Sequence, residues 1–284
     1  MIIFAVRIYK PCKMNTASTI KEWINKLQQN GKLYFSMEQV TEAFPNLQST
    51  GIRSALTRLS SKNSIASVWK GFYVIVPISY TVKGILPPVM YIDHLMKHIQ
   101  RPYYVGLLNA AAFYGAALQQ PQVFSVIIQH PTLRDNNKKN VRLQFVARRN
   151  FPADELLETR KTQTGYVKIS SPALTAADII QYEKAIGGLN RACTVLNDLT
   201  EVLDFTKNLD SFFDTVSTAT VQRLGYLLEN VVESPDVANQ LYEKALQANC
   251  SFQTIPLKIG KTTEMKTTDR KWKIIINTEI EIDE

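Results

Sequence analysis

The segment from residue 49 to residue 76 is the part of this sequence that most limits the possible folds. It reads STGIRSALTRLSSKNSIASVWKGFYVIV. The apolar residues Ile52, Leu56 and Leu59 recur at helical spacing, so the first half predicts an amphipathic helix. The second half has two β-rich runs on either side of Lys70-Gly71, which predicts a hairpin with a tight turn. A helix that leads directly into a hairpin is therefore expected here.

Two further helices are predicted before this segment. In residues 18–30, apolar residues at positions i, i+3, i+4 and i+7 predict one helix. Ser36 and Gln39 have the spacing of a capping box, which predicts the start of a short second helix. The expected N-cap of the third helix is Ser49 or Thr50. The predicted order is three helices and then a hairpin, with a short turn between the last two helices. This is the order of elements in a winged helix-turn-helix. We assign this domain to residues 16–80.

Basic residues are concentrated in the first third of the chain. Residues 1–85 hold 11 Lys and Arg against 3 Asp and Glu, whereas residues 86–284 hold 22 of each. The formal net charge of +8 therefore belongs to the first third. Such asymmetry favours a polyanionic partner, nucleic acid before an anionic membrane. The third helix has no acid on its polar side, which strengthens the nucleic-acid interpretation.

We expect the polar side of the third helix to enter the major groove of double-stranded DNA and to contact base edges. The preceding helix, the helix N-terminus and the hairpin tip are expected to contact phosphates, which orient the protein but carry no sequence information. The predicted base-reading residues are Thr50, Arg53, Ser54, Thr57 and Arg58, and the predicted phosphate-contacting residues are Ser36, Ser49, Lys62 and Lys70. Winged helices also bind proteins, and that alternative stays open.

The remaining two thirds of the chain predict a second, larger domain. A linker with Gly and Pro is expected at residues 81–90, and the domain itself at residues 91–284. Its helices and strands predict an α/β domain, so that the whole chain belongs to the α+β class. The predicted helices include 91–99, 103–117 and several segments between 172 and 247, and the predicted strands are 123–129, 141–149, 166–172 and a terminal one in KWKIIINTEIEIDE.

A second group of basic residues lies within and after the loop between two of these predicted strands. One interpretation is a solvated loop, and the other is a second contact with a polyanion or with a negatively charged partner. The residues are Arg134, Lys138, Lys139, Arg142, Arg148 and Arg149.

Several function classes find no support in the sequence. There is no nucleophile motif, no Walker loop and no GxGxxG, so we predict no catalytic residue and no cofactor. The three cysteines have no zinc spacing and form no disulfide framework, which indicates a reducing cytoplasm and no metal site. No apolar run approaches the ~20 residues that span a bilayer. Residues 1–15 are interpreted as an N-terminal extension, because Met14 begins a more typical start.

Five segments, in order, resemble the AbiEi-type antitoxins, which are regulators of bacterial type IV (abortive infection) toxin–antitoxin operons. They are WKGFYVIVP, PPVMYIDHLM, YYVGLLNAAAFYGA, ISSPALTAADII and RKWKIIINTEIEID. The resemblance implies an N-terminal winged helix that represses its own promoter, at inverted repeats, through the third helix and Lys70. It also implies a C-terminal domain that counteracts a nucleotidyltransferase-type toxin, with or without direct contact. It offers no catalytic residue.

Two other functions stay open from the residues themselves. A ligand-responsive repressor would have a pocket in the second domain. A nuclease-like enzyme with the winged helix as its targeting module would need clustered acids there, and Asp154, Glu155 and Glu158 beside Lys161 could imitate such a cluster.

Overall fold

The computed structural model describes residues 18–116, 121–138, 141–207, 210–261 and 267–282. The chain divides into two compact units, one ending at Leu86 and the other starting at Pro87. This division lies inside the predicted linker, although Ile85 and Leu86 are themselves buried. The predicted extension 1–15 and Lys139 lie outside the described residues.

The N-terminal unit combines three helices with a small antiparallel sheet whose strand order is β1-β3-β2. The sheet pairs the hairpin strands with each other and adds the short strand that precedes the second helix. This order of elements is consistent with a winged helix. The elements are α1 (Ile20–Gln29), β1 (Tyr34–Ser36), α2 (Met37–Ala43), α3 (Ser49–Ser61), β2 (Ile65–Trp69) and β3 (Phe72–Ile75).

Local sequence signals explain most of these boundaries. The predicted capping box at α2 is confirmed: the Ser36 hydroxyl accepts from the backbone N–H of Gln39, whose side chain accepts from the backbone N–H of Ser36. The expected N-cap of α3 is wrong by one residue, because Gln48 holds that position and offers no side-chain hydrogen bond. Packed between helices and sheet is a core with Trp23, Phe35, Val40, Ile52 and Leu56 among its buried members.

The C-terminal unit begins with a mixed six-stranded sheet in the order β6-β7-β5-β4-β9-β8. Two neighbouring pairs, β4 with β9 and β5 with β7, are parallel, and the other three pairs are antiparallel. The unit is therefore mixed rather than a regular βαβ repeat. Its first elements are α4 (Ile92–His98), β4 (Tyr103–Val105), α5 (Leu107–Phe113), β5 (Val123–Gln129), β6 (Asn136–Lys138), β7 (Val141–Arg148), β8 (Leu157–Thr162) and β9 (Gly165–Ser170).

Helices and a second, small sheet complete this unit. Leu174, Leu196, Leu224 and Trp272 are buried in one extended core with residues of the large sheet. The elements are α6 (Pro172–Gln181), α7 (Glu183–Ile186), α8 (Leu189–Leu199), α9 (Asp210–Thr215), α10 (Thr218–Asn230), α11 (Pro235–Gln247), β10 (Ile255–Pro256), β11 (Thr268–Asp269) and β12 (Ile274–Ile275). Among the described helices, none is long and apolar enough to cross a bilayer.

Three expectations for this unit are corrected. The helix expected over 103–117 starts only at Leu107, because residues 103–105 pair with β5 and β9 as a central strand. Strand β8 is missing from the predicted strands, although it pairs with β9 along its whole length. The terminal strand is two residues long, and the Trp272 side chain before it is fully buried against Gly225 of α10.

Candidate nucleic-acid interface

Helix α3 turns its predicted apolar stripe inward. Ile52 and Leu56 are 1% and 2% exposed, whereas all five predicted base-reading residues on the helix are exposed. The helix therefore has the orientation that its periodicity predicts. That these exposed side chains read bases stays a prediction.

The two arginines of α3 lie on different flanks of the helix. Five residues at 3.6 residues per turn place Arg53 and Arg58 about 140° apart around the axis. The Arg53 flank borders the hairpin, because Arg53 lines a groove together with the hairpin residues Ser67 and Tyr73. The spacing in the sequence already separates the two arginines around the axis, and the structure adds that the hairpin lies beside Arg53.

A groove of about 470 Å³ lies between α3 and the hairpin. On the hairpin side, Tyr73 is paired with Ser67 in the sheet, and its ring stacks on Phe35 with 5.3 Å between ring centroids. Burial raises the pKa of the Tyr73 phenol, and the nearby Arg53 guanidinium opposes this shift. The complete lining consists of Arg53, Leu56, Thr57, Ser60, Ser61, Ser67 and Tyr73.

Three hydroxyls around this groove already donate to backbone carbonyls. Thr57 donates to Arg53 over 2.9 Å, Ser61 to Arg58 over 2.9 Å, and Ser67 to Trp69 over 3.3 Å. In these rotamers each oxygen can accept but not donate again. Thr57 is thus suited to accept from a base amine or to place its methyl group on a thymine methyl.

The four predicted phosphate-contacting residues occupy four different places. Ser49 is the exposed first residue of α3, where backbone N–H groups lack partners within the helix. Lys62 is the C-cap of α3, and Lys70 is exposed at the hairpin turn. Ser36 is half-buried, and its hydroxyl caps α2. Periodicity in the sequence does not indicate Ser60, Ser67 and Tyr73, since their proximity to Arg53 depends on how the hairpin packs.

The second basic group is only partly a surface patch. Arg134, Lys138, Arg142 and Arg149 are exposed, on or beside β6 and β7. Arg148 is a correction: its side chain is 2% exposed and pairs with the buried Asp178. Alternation puts Arg148 on the side of the sheet opposite to Leu143 and Phe145, because the pairing of β7 with β5 is regular up to Arg148. Val146 on this side packs against the large core with the helices, which explains the burial of Arg148.

Arg148 is held by four groups inside the C-terminal unit. Besides the Asp178 carboxylate, it donates to the Tyr104 hydroxyl over 3.0 Å, to the Thr215 carbonyl over 3.0 Å and to the Asn150 carbonyl over 3.1 Å. Tyr104 in turn donates to Asp178 over 2.8 Å. Burial raises the pKa of Asp178, and the Arg148 guanidinium opposes this shift. The network ties β7, β4 and α6 to the end of α9.

The acids that could have imitated a nuclease cluster have separate partners. Asp154 pairs with Lys168 at 2.9 Å, Glu158 pairs with Arg160 at 2.6 Å, and Glu155 accepts from the backbone N–H of Ser211 at 3.1 Å. Within the described ranges, no three His, Cys, Asp or Glu side chains are grouped so as to hold a metal ion.

The comparison with protein families identifies the C-terminal unit. Residues 104–230, from β4 to the end of α10, match the family model of the AbiEi antitoxin C-terminal domain. Over residues 104–230, the chain has an AbiEi antitoxin C-terminal domain. This AbiEi domain contains all of the buried network around Arg148 and two of the five segments that carried the resemblance.

A solved structure shares the fold over most of the chain. It is the crystal structure of the RV2827C protein from Mycobacterium tuberculosis, with a TM-score of 0.62 and 14% sequence identity. The match covers 89% of this chain and 89% of that chain. At this identity the likeness concerns the fold alone, a mixed α+β arrangement that includes the AbiEi domain. None of the curated proteins matches the chain.

Proposed function

We propose that this protein is a DNA-binding autorepressor and the antitoxin of a type IV toxin–antitoxin system. The match of residues 104–230 to the AbiEi antitoxin domain is the observation that carries the antitoxin role. The DNA-binding role is supported by the N-terminal unit, whose helix α3 exposes arginines and hydroxyls without an acid among them.

The proposed DNA partner is the protein's own promoter, at inverted repeats. The exposed residues of α3 read base edges, whereas Ser36, Ser49, Lys62 and Lys70 contact phosphates. The exposed basic residues beside β6 and β7 form a second contact with a polyanion. These are Arg134, Lys138, Arg142 and Arg149.

The proposed toxin is of the nucleotidyltransferase type. The antitoxin counteracts it in the cytoplasm, and the proposal requires neither direct contact with the toxin nor catalysis or a cofactor. Because the family match lies wholly in the C-terminal unit, we assign this activity to that unit.

Co-expression with the neighbouring reading frame tests both roles in the full-length chain. We expect growth rescue by the wild type and by Arg53→Ala/Arg58→Ala, but promoter repression by the wild type alone. The matched control is Lys21→Ala/Lys83→Ala, which removes two exposed cations of the same unit that belong neither to α3 nor to the hairpin. It should keep both activities.

Two outcomes would contradict the proposal. If the folded Arg53→Ala/Arg58→Ala variant no longer rescues growth, the antitoxin role does not belong to the C-terminal unit alone. If the wild type binds no duplex DNA at low salt, where phosphate contacts are strongest, the protein is not a DNA-binding repressor.

A further inference from the structure

The two flanks of α3 differ in what lies beside them. On the Arg53 flank the helix shares the 470 Å³ groove with the hairpin. Arg58, about 140° away around the helix axis, is exposed and is not among the residues that line this groove. The two arginines therefore present the same chemistry to two different environments.

The groove has no carboxylate, and it offers hydrogen-bond donors beside the hydroxyls of Thr57, Ser61 and Ser67, which already donate to backbone carbonyls. The Arg53 guanidinium carries several N–H donors, and Ser60 and Tyr73 each add an O–H group. Among the contacts of the described residues, none engages the hydroxyl of Ser60 or of Tyr73. A phosphodiester has only acceptor oxygens and a negative charge, so these groups match it, whereas a base edge presents both donors and acceptors.

The shape of DNA decides which part of it reaches this groove. The major groove is roughly 12 Å wide, so a helix that fills it has a phosphate backbone along each side. On one side of α3 the protein continues directly into the hairpin. A DNA strand on that side has to run between the helix and the hairpin.

We infer that the groove between α3 and the hairpin holds the phosphodiester backbone of one DNA strand, with Arg53, Ser60 and Tyr73 as donors. Arg53 then contacts phosphate instead of a base, and sequence is read from the outer face and the Arg58 flank. This inference rests on the proposed DNA binding and divides its residues into two classes.

The matched pair Arg53→Ala and Arg58→Ala tests this division in the full-length chain. Both variants remove one exposed arginine from the same helix. Affinity is measured by fluorescence anisotropy, over a salt series, for a duplex that the protein selects from a random pool and for a scrambled duplex of equal composition. The ratio of the two affinities reports base reading, and the salt slope reports phosphate contacts.

We expect Arg53→Ala to lower the affinity for both duplexes by the same factor, about 10-fold or more. It should also lower the salt slope of binding by about one. Arg58→Ala should instead reduce the advantage of the selected duplex by about 5- to 150-fold. Tyr73→Phe keeps the ring that stacks on Phe35 and removes one hydrogen-bond donor. It should lower the affinity for both duplexes by the same factor, and this factor should be smaller than for Arg53→Ala.

The inference is overturned if Arg53→Ala narrows the affinity ratio as Arg58→Ala does, or if it changes neither affinity nor slope. Binding of no duplex by the wild type would instead overturn the proposed function together with this inference. A free phosphate ion has the same chemistry as a DNA phosphodiester, so inorganic phosphate is added at constant ionic strength as a second test. We expect it to leave the melting temperature of wild type and Arg53→Ala equally unchanged, and a stabilisation that requires Arg53 would assign the groove to a free phosphate.

Discussion

The N-terminal unit has exposed arginines, whereas the C-terminal unit also contains a buried one. In the N-terminal unit, Arg53, Arg58 and Lys70 are exposed. In the C-terminal unit, Arg148 is buried with a carboxylate, a phenol and two backbone carbonyls around it. Exposed cations can bind a polyanion at little cost to the fold, whereas a buried cation has lost its water and depends on every partner. Arginines in basic sequence segments can therefore have unrelated roles.

The largest expected effect comes from breaking the buried pair. Arg148→Met leaves the Asp178 carboxylate buried without its cation, so we expect a loss of about 3–5 kcal/mol in the free energy of unfolding of the C-terminal unit. Urea denaturation of the full chain measures it. The control Arg149→Met changes the next residue, which is exposed, and should cost less than ~0.5 kcal/mol. Equal costs for the two variants would show that burial of Arg148 is unimportant.

The stability of Arg148→Met should also depend on pH. Without the guanidinium, the hydrogen bond from Tyr104 still opposes burial, but burial then raises the pKa of the Asp178 carboxyl further above its unfolded value of about 3.9. The folded variant then binds the proton more tightly than the unfolded chain, so its stability falls as pH rises. We expect the stability gap between the wild type and Arg148→Met to be smaller at pH 4 than at pH 7. A gap that is constant between these pH values would contradict this.

Two glycines, one in each unit, differ in the space around them. A Cβ on Gly225 of α10 would lie 2.1 Å from a Trp272 ring atom, whereas a Cβ on Gly51 of α3 would meet nothing within 4 Å. We expect Gly225→Ala to destabilise the C-terminal unit by about 1–3 kcal/mol through overpacking. Gly51→Ala should stabilise the N-terminal unit by up to about 1 kcal/mol through helix propensity. Thermal unfolding monitored by circular dichroism would show opposite shifts, and shifts of the same sign would refute the packing argument.

A smaller effect is expected at the cap of α2. Ser36→Ala removes the hydroxyl that accepts from Gln39, which should cost about 1 kcal/mol of stability in the N-terminal unit. Ser36→Asp restores an acceptor there and serves as the control for the cap. If Ser36 also contacts phosphate, the Ala variant loses DNA affinity at temperatures where it is fully folded, and the Asp variant loses more. Unchanged affinity in both would limit Ser36 to its capping role.

The smallest effect on stability is expected at the second basic patch. Lys138→Ala/Arg142→Ala removes two exposed cations and should change the free energy of unfolding by less than ~0.5 kcal/mol. If the patch contacts a polyanion as proposed, the salt slope of DNA binding falls by up to about two. An unchanged slope at unchanged stability would leave these residues as part of a solvated loop.

The elements of the N-terminal unit were predictable because local rules agree with tertiary packing there. The stripe at Ile52 and Leu56, the Ser36 capping box and the turn at Lys70-Gly71 each depend on neighbours within a few residues. The C-terminal unit was harder for the converse reason. Residues 103–105 continue into an Ala-rich helix in sequence, and only pairing with β5 and β9 makes them a strand.

The sequence by itself determined the order of elements in the N-terminal unit, the inward stripe of α3 and the concentration of charge in the first third of the chain, because periodicity and charge are local properties. Only the tertiary structure shows that the Arg53 flank of α3 faces the hairpin and that Arg148 is buried with Asp178. Both facts depend on contacts between segments far apart in the chain, 30 residues in the case of Arg148 and Asp178. Hydrophobic periodicity carries no information about which distant segment will cover a given side chain.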